Sequence, residues 1–194
     1  MVYDPDKNLN LMEVSALDRE DALCHKLMLM FGLDGGYDEW LNTYLEKEDP
    51  LSDIVLELAG CGSDINKTIT VLDRFCGEAP IDERAVCERL RLFLRDAYYA
   101  NRVSKEEIAS TIYCLARNVG DPEDYNVDVW GGAYALDDYY DLAKSGIISW
   151  EQFDAVFFDF LNNGAPVDPN RIWDERKQRL RWFDRIKKIL FGTK

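Results

Sequence analysis

The sequence predicts an all-α protein, an irregular multi-helix bundle of about eight or nine helices ending in a basic amphipathic helix. Three observations carry this. Apolar residues recur at i, i+3, i+4 and i+7 in segment after segment. Most of these segments open on a capping residue and close on Gly. No alternating apolar–polar run bounded by hairpin turns occurs, and the β-branched residues are scattered.

Each element has a residue-level reason. "SALDREDALCHKLMLMFG" opens with Ser15 as N-cap, has Asp18 three residues on, and closes near Gly32. "YDEWLNTYLEKEDP" sets Trp40, Leu41, Tyr44 and Leu45 on one face and stops before Pro50. "LSDIVLELAG" is a short apolar helix ending at Gly60, and "SDINKTITVLDRFCG" runs from Ser63 to Gly77. "PIDERAVCERLRLFLRDAYYANR" is long, with a stripe through Val86, Leu90, Phe93, Leu94, Ala97 and Tyr98. "SKEEIASTIYCLARNVG" begins with a capping box, Ser104 with Glu107, and stops at Gly120. "WGGAYALDDYYDLAKSG" ends at Gly146. "SWEQFDAVFFDFLNNG" has a second box, Ser149 with Gln152. The last helix, "VDPNRIWDERKQRLRWFDRIKKILFG", has Asp168 as cap and Pro169 at its first position. The linker "NNGAPVDPN" divides an acidic helical domain, 1–165, from this basic C-terminal helix, 166–194, which is expected to dock on the same domain.

Composition bounds the chemistry. The chain has 194 residues, 47% hydrophobic and 31% charged, enough for a core and for solubility. The N-terminus "MVYDPDKNLN" has neither the basic nor the apolar region of a secretory signal. The longest apolar candidates, "LCHKLMLMF" and "AVFFDFL", fall well short of the roughly 20 residues that span a bilayer. The five cysteines (Cys24, Cys61, Cys76, Cys87 and Cys114) are odd in number and show no C-x-x-C spacing. Reduced, buried thiols in a cytoplasm are the expectation. His25 is the sole histidine, read as an ordinary helix residue. It adjoins Cys24, and neighbours on a helix do not face each other, so no Cys–His nucleophile pair follows. Neither does a zinc site.

Charge is unevenly spread. The net charge is -14, from 37 acids and 23 bases. The tail from 166 to 194 holds nine bases against four acids, so the body holds 33 acids against 14 bases. So acidic a body repels nucleic acid and anionic membrane and attracts basic proteins.

The most suggestive motif is "DDYYD", residues 137–141, a D-D-x-x-D pattern. It resembles the Mg²⁺-diphosphate motif of terpene and prenyl-chain synthases, which are also all-helical. On a helix, Asp137, Asp138 and Asp141 share one edge, and carboxylates suit Mg²⁺. With 23 aspartates in the chain, chance alone supplies such a pattern about 0.3 times. The synthases are much longer and carry a second Mg²⁺-binding segment that has no counterpart here. Leu136, Tyr139 and Tyr140 are read as the buried face, leaving the aspartates to solvent. The loop "DPEDYNVDVWGG" lacks the Gly and Glu of a Ca²⁺ loop at the needed positions. No catalytic or metal-ligating residue and no cofactor is therefore expected.

Acids and aromatics interleave from 121 to 160. A surface of that composition suits a basic protein, with rings as anchors and carboxylates for steering. Asp128, Trp130, Asp137, Asp138, Tyr140 and Asp141 are the expected partner-binding residues. In "DPLSDIVLELAG" and "YALDDYYDLAKSGIISWEQF" the chain resembles uncharacterised acidic all-helical bacterial families, some of them polymorphic-toxin immunity proteins. That resemblance implies stoichiometric inhibition, an acidic face covering the basic cleft of a toxin, often a nuclease. The expectation is a non-enzymatic inhibitor of a basic protein, with a DNA mimic of the anti-restriction or anti-CRISPR kind as a variant. Two alternatives stand beside it. One is a Mg²⁺-dependent enzyme built on the D-D-x-x-D. The other is an adaptor acting through the basic C-terminal helix on a membrane or a partner groove.

Overall fold

The structure, a computed structural model, describes residues 17–47, 50–120 and 129–164, apart from the Trp130 side chain. Among them are eight α-helices and no strand. The helices group into two compact units, Met1–Val103 and Ser104–Lys194. The boundary expected after 165 and the basic C-terminal helix lie outside the described residues.

The first unit holds α1 (Arg19–Met30), α2 (Tyr37–Lys47), α3 (Asp53–Ala59), α4 (Ile65–Gly77) and α5 (Glu83–Tyr99). Helix α1 packs against α4 and α5, α3 joins α4, and α2 lies on α3. Its core is built from Ala22, Leu27 and Met28 of α1, Val55 and Leu58 of α3, Leu72 of α4, and Val86, Leu90 and Leu94 of α5. Apolar burial drives this packing, because helices this short have little stability alone.

Ion pairs fix the register. Arg89 of α5 donates to the carboxylates of Asp18 and Asp21, at 2.8 Å for Asp21. Asp18 is also the N-cap of α1, its side chain accepting from the Asp21 N–H. Burial would raise the Asp18 carboxyl, but Arg89 and the Asp21 N–H outweigh it and hold it below its ordinary value. The helix therefore starts at Asp18 rather than Ser15. Likewise, Asp64 rather than Ser63 caps α4, accepting from the Lys67 N–H. Asn101 ends α5 in the left-handed region, at φ 57°, which Asn tolerates better than most side chains. The Arg102 N–H then reaches back to the Ala97 carbonyl.

The second unit holds α6 (Lys105–Val119), α7 (Val129–Lys144) and α8 (Trp150–Asn163), with α7 packed on both neighbours. Both capping boxes form as the residues predict, Ser104 with Glu107 and Ser149 with Gln152. Its core is Ile108, Ile112 and Leu115 of α6, Ala133 and Leu136 of α7, and Phe153, Phe157 and Phe160 of α8. Lys105 at the start of α6 donates to Asp154 of α8, and its ammonium lies 5.8 Å from the Phe153 ring centroid.

Four of the five cysteines are buried, as expected; Cys114 is exposed, because it lies on the outer side of α6. Burial raises the Cys24 thiol and pushes Cys76 up to about 11. Both are poor nucleophiles.

Replacing Asp18 by Ala removes a cap and one arm of the Arg89 fork together. A loss of about 1–2 kcal/mol in urea unfolding is expected. A variant as stable as the parent would show that the fork does not hold α1 to α5.

Candidate functional site

Helix α7 places Asp137, Asp138 and Asp141 on consecutive turns of one edge, as the i, i+1, i+4 spacing requires. Asp138 and Asp141 are exposed; Asp137 is half-buried, against the expectation that all three face water. The reason is local: Leu136, fully buried next to it, turns this part of the helix inward. Burial first, and then the Asp141 and Asp138 charges, hold the Asp137 carboxyl above its ordinary value. None of the three carboxylates is in an ion pair among the described residues.

Tyr139 and Tyr140 are half-buried rather than buried. Tyr140 packs edge-on against Trp150, centroids 6.0 Å apart, and against the buried Phe153 at 5.6 Å. Trp150 is the first residue of α8 and stays 45% exposed. Beside it the α7–α8 turn leaves Ile147 67% exposed. The turn is a Schellman ending: Gly146 takes φ 72°, its N–H bonds the Ala143 carbonyl, and the Ile147 N–H bonds the Leu142 carbonyl. An apolar residue at this position commonly packs back on its own helix, yet Ile147 faces water. The α7–α8 pair thus presents carboxylates, two rings and an aliphatic side chain together. Helices α7 and α8 carry six carboxylates and one base. That base, Lys144, has its ammonium 5.5 Å from the Tyr140 ring centroid.

Of the six expected site residues, the structure places Asp137, Asp138, Tyr140 and Asp141 on α7, Asp137, Tyr140 and Asp141 along one side and Asp138 across the helix from Tyr140. Asp128 lies outside the described residues. Trp130 falls in the first turn of α7, with its side chain likewise outside the description. Ile147, Trp150 and Lys144 were missing from the expectation. The signal for Trp150 was its place directly after the Ser149 cap, where a helix has no preceding turn to cover a large ring.

Among the described residues no group of three His, Cys, Asp or Glu side chains is placed to hold a metal ion. No helix among them is long and apolar enough to cross a membrane. No protein family, curated protein or solved structure matches the chain.

The sole histidine is a residue of helix α1, and a buried one. His25 is 2% exposed, and its ring lies 4.5 Å from Trp40 and 5.1 Å from Phe93, tilted 34° to each, with Tyr37 edge-on at 6.1 Å. Its Nδ1 has no hydrogen-bond partner among the described residues. Burial, and then the Arg102 charge, lower its pKa to about 4. It joins α1, α2 and α5 as a neutral aromatic ring.

Two outcomes follow from these titrations. A folded pKa below the free value of 6.5 means that His25 supports the fold fully above pH 6.5 and loses that support as pH falls toward 4. His25→Phe should therefore lose less stability than the parent between these pH values in thermal melts; parallel curves would contradict the buried neutral ring. Asp137 has the opposite sign. Its raised carboxyl costs stability at neutral pH, and the cost fades as acid protonates it. Asp137→Asn should melt higher than the parent at pH 7, by a margin that shrinks on acidification.

Proposed function

We propose that the protein is a non-enzymatic acidic binding protein that inhibits a basic protein partner by covering its functional surface. The partner's landing place is the α7–α8 edge. The observation that carries this reading is Asp137. A half-buried carboxylate with two more beside it and no counter-charge among the described residues opposes folding. A cation from a partner relieves that strain, so binding gains what folding gives up. Tyr140, Trp150 and Ile147 supply apolar contact next to the charges. The acid excess of the chain adds long-range steering toward a basic surface.

The immunity-type resemblance fits this reading, with a toxin or nuclease as the partner and the cytoplasm as the meeting place. A DNA mimic is the same chemistry with carboxylates spaced as duplex phosphates are. Neither alternative activity gains support from a described side chain: Asp137, Asp138 and Asp141 do not converge as a ligand set, and the basic C-terminal helix lies outside the described residues.

The test is affinity capture from the host cell on the immobilised chain, beside an Asp138→Lys/Asp141→Lys double variant. A basic protein retained by the parent should be lost about ten-fold or more from the variant, and its activity should be blocked by the parent chain alone. Both residues are exposed, so the variant should melt as the parent does. Equal retention removes this edge from the interface; a captured partner that is not basic removes the proposed mode of inhibition.

A further inference from the structure

The geometry points to a site for a small organic amine in the first unit, in a cavity beside the Tyr37 hydroxyl. The cavity takes the apolar body of the amine, the hydroxyl bonds a polar atom at its inner end, and carboxylates at the mouth receive its ammonium. This site shares no residue with the α7–α8 edge and stands independently of the reading given to that edge.

The cavity comes first. It has a volume of about 360 Å³ and lies between the end of α1, the start of α2 and the start of α4. Ligand sites run from about 300 to 1,000 Å³, so its occupant is small. Leu29, Leu33 and Ile65 give it apolar lining. Its wall is closely built: Gly35 lies so near Met28 that a Cβ would meet the sulfur at 2.6 Å. The Gly36 N–H donates to the Asp34 carboxylate at 3.0 Å and fixes the turn before α2. A site formed before its ligand arrives loses little to ordering.

The Tyr37 hydroxyl comes second. Its oxygen is buried and has no hydrogen-bond partner among the described residues. Thr68 stands beside it in the lining, but the Thr68 hydroxyl donates to the Asp64 carbonyl at 3.1 Å. Burial pushes the phenol up to about 12, so it keeps its proton and can donate. A buried polar group left so is an exception that calls for an occupant. The rings behind Tyr37 share the deficit. His25 Nδ1 and Trp40 Nε1 are also buried without a partner among the described residues, and their ring centroids lie 6.1 Å and 5.7 Å from that of Tyr37. Of these three rings, Tyr37 is the one that lines the cavity.

Charge comes third and selects among ligands that the first two admit. Asp34, Asp38 and Glu39 line the cavity and are exposed, and no base lines it among the described residues. Asp38 and Glu39 stand in the first turn of α2 and already answer its positive end, so an anion meets like charge there. Glu39 has Arg102 at 4.0 Å, whereas Asp34 and Asp38 pair with no base among the described residues. An ammonium at the mouth therefore gains two carboxylates without displacing another cation.

The test is calorimetric titration of the full-length chain with tyramine, which carries a phenol at one end and an ammonium at the other. Phenethylamine, 4-ethylphenol and 4-hydroxyphenylacetate are titrated beside it. The amide resonances of Gly35 and Gly62, both in the lining, report where binding occurs. Tyramine should saturate one site below about 1 mM and move both amides. Phenethylamine and 4-ethylphenol, each lacking one polar end, should bind about five-fold or more weakly, and 4-hydroxyphenylacetate should not bind. Tyr37→Phe should bind tyramine no better than phenethylamine. It should also melt no lower than the parent, since it loses a hydroxyl that nothing among the described residues bonds. Asp34→Asn/Asp38→Asn should remove the preference for tyramine over 4-ethylphenol. Should that double variant fail to fold, Asp38→Asn alone, at an exposed position, should reduce the same preference. Tyramine that does not saturate below about 1 mM, or saturates without moving Gly35 and Gly62, overturns the site. A Tyr37→Phe chain that keeps the parent's preference for tyramine overturns the part given to the hydroxyl. Binding of 4-ethylphenol or 4-hydroxyphenylacetate as tight as that of tyramine overturns the amine. None of these outcomes bears on the α7–α8 edge.

Discussion

Phe153 is the residue on which the second unit is organised. It is fully buried, and the rings of Tyr140, Trp150 and Phe157 all lie within 6.0 Å of its centroid. With Phe153, Phe157 and Phe160 inside, the helical period decides the rest of α8. Glu151, Ala155, Phe158 and Asn162 must then face out. Phe153 also sets the edge itself. Tyr140 and Trp150 both pack against it, at 55° and 85° between ring planes, and both stay partly exposed. Their exposure is thus a consequence of core packing, and their orientation is held by a buried neighbour rather than by a loop. Lys105 adds a cation over the same ring while bonding Asp154, so the start of α6 is tied to the same point.

Carboxylates play two parts in this chain. Asp18 and Asp21 meet Arg89, Asp73 meets Lys26, Glu57 meets Arg74 and Asp154 meets Lys105. Each of these joins two elements, and all but Glu57–Arg74 join elements that are not consecutive in the chain. Such pairs add little stability when exposed, but they choose one register among several. The three aspartates of α7 join nothing among the described residues. A solitary exposed carboxylate is hydrated at little cost. Asp137 differs, since part of its hydration is gone and two like charges adjoin it. A local arrangement that opposes folding fits a residue kept for contact with something else.

What could be read in the residues was what short range decides. The boxes at Ser104 and Ser149 each need two partners three residues apart, and both formed as written. The choice between Ser15 and Asp18 could not be read. Both are sound caps, and Arg89, 71 residues further on, is the residue that engages Asp18. The surroundings of His25 were hidden for the same reason, since Trp40 and Phe93 come from two other helices. At the edge, the D-D-x-x-D spacing showed which side chains share a helix face, but not that Asp137 is half-buried. Burial depends on how α7 settles between α6 and α8, which the helical period of α7 alone does not contain. Ile147 was missed because a residue after a Schellman glycine commonly folds back, and this one does not.

If the α7–α8 edge receives a basic partner as proposed, long-range and short-range selection converge there. The field of an acidic chain draws in any basic surface, and ions in solution weaken it beyond about 8–10 Å. Steering therefore cannot tell one basic protein from another. Contact must do that, and contact discriminates best where a wrong group leaves something unsatisfied. Exposed Asp138 discriminates little, because water satisfies it whatever arrives. Half-buried Asp137 discriminates more, because a partner that closes over Tyr140 and Trp150 removes its remaining water. Such a partner must bring donors of its own or meet a stranded charge. Mounting the carboxylates on a helix and the rings on Phe153 keeps that requirement rigid, so little ordering cost falls on binding. On the proposed reading, the feature that makes Asp137 a liability to the free chain is the one by which the edge would choose its partner.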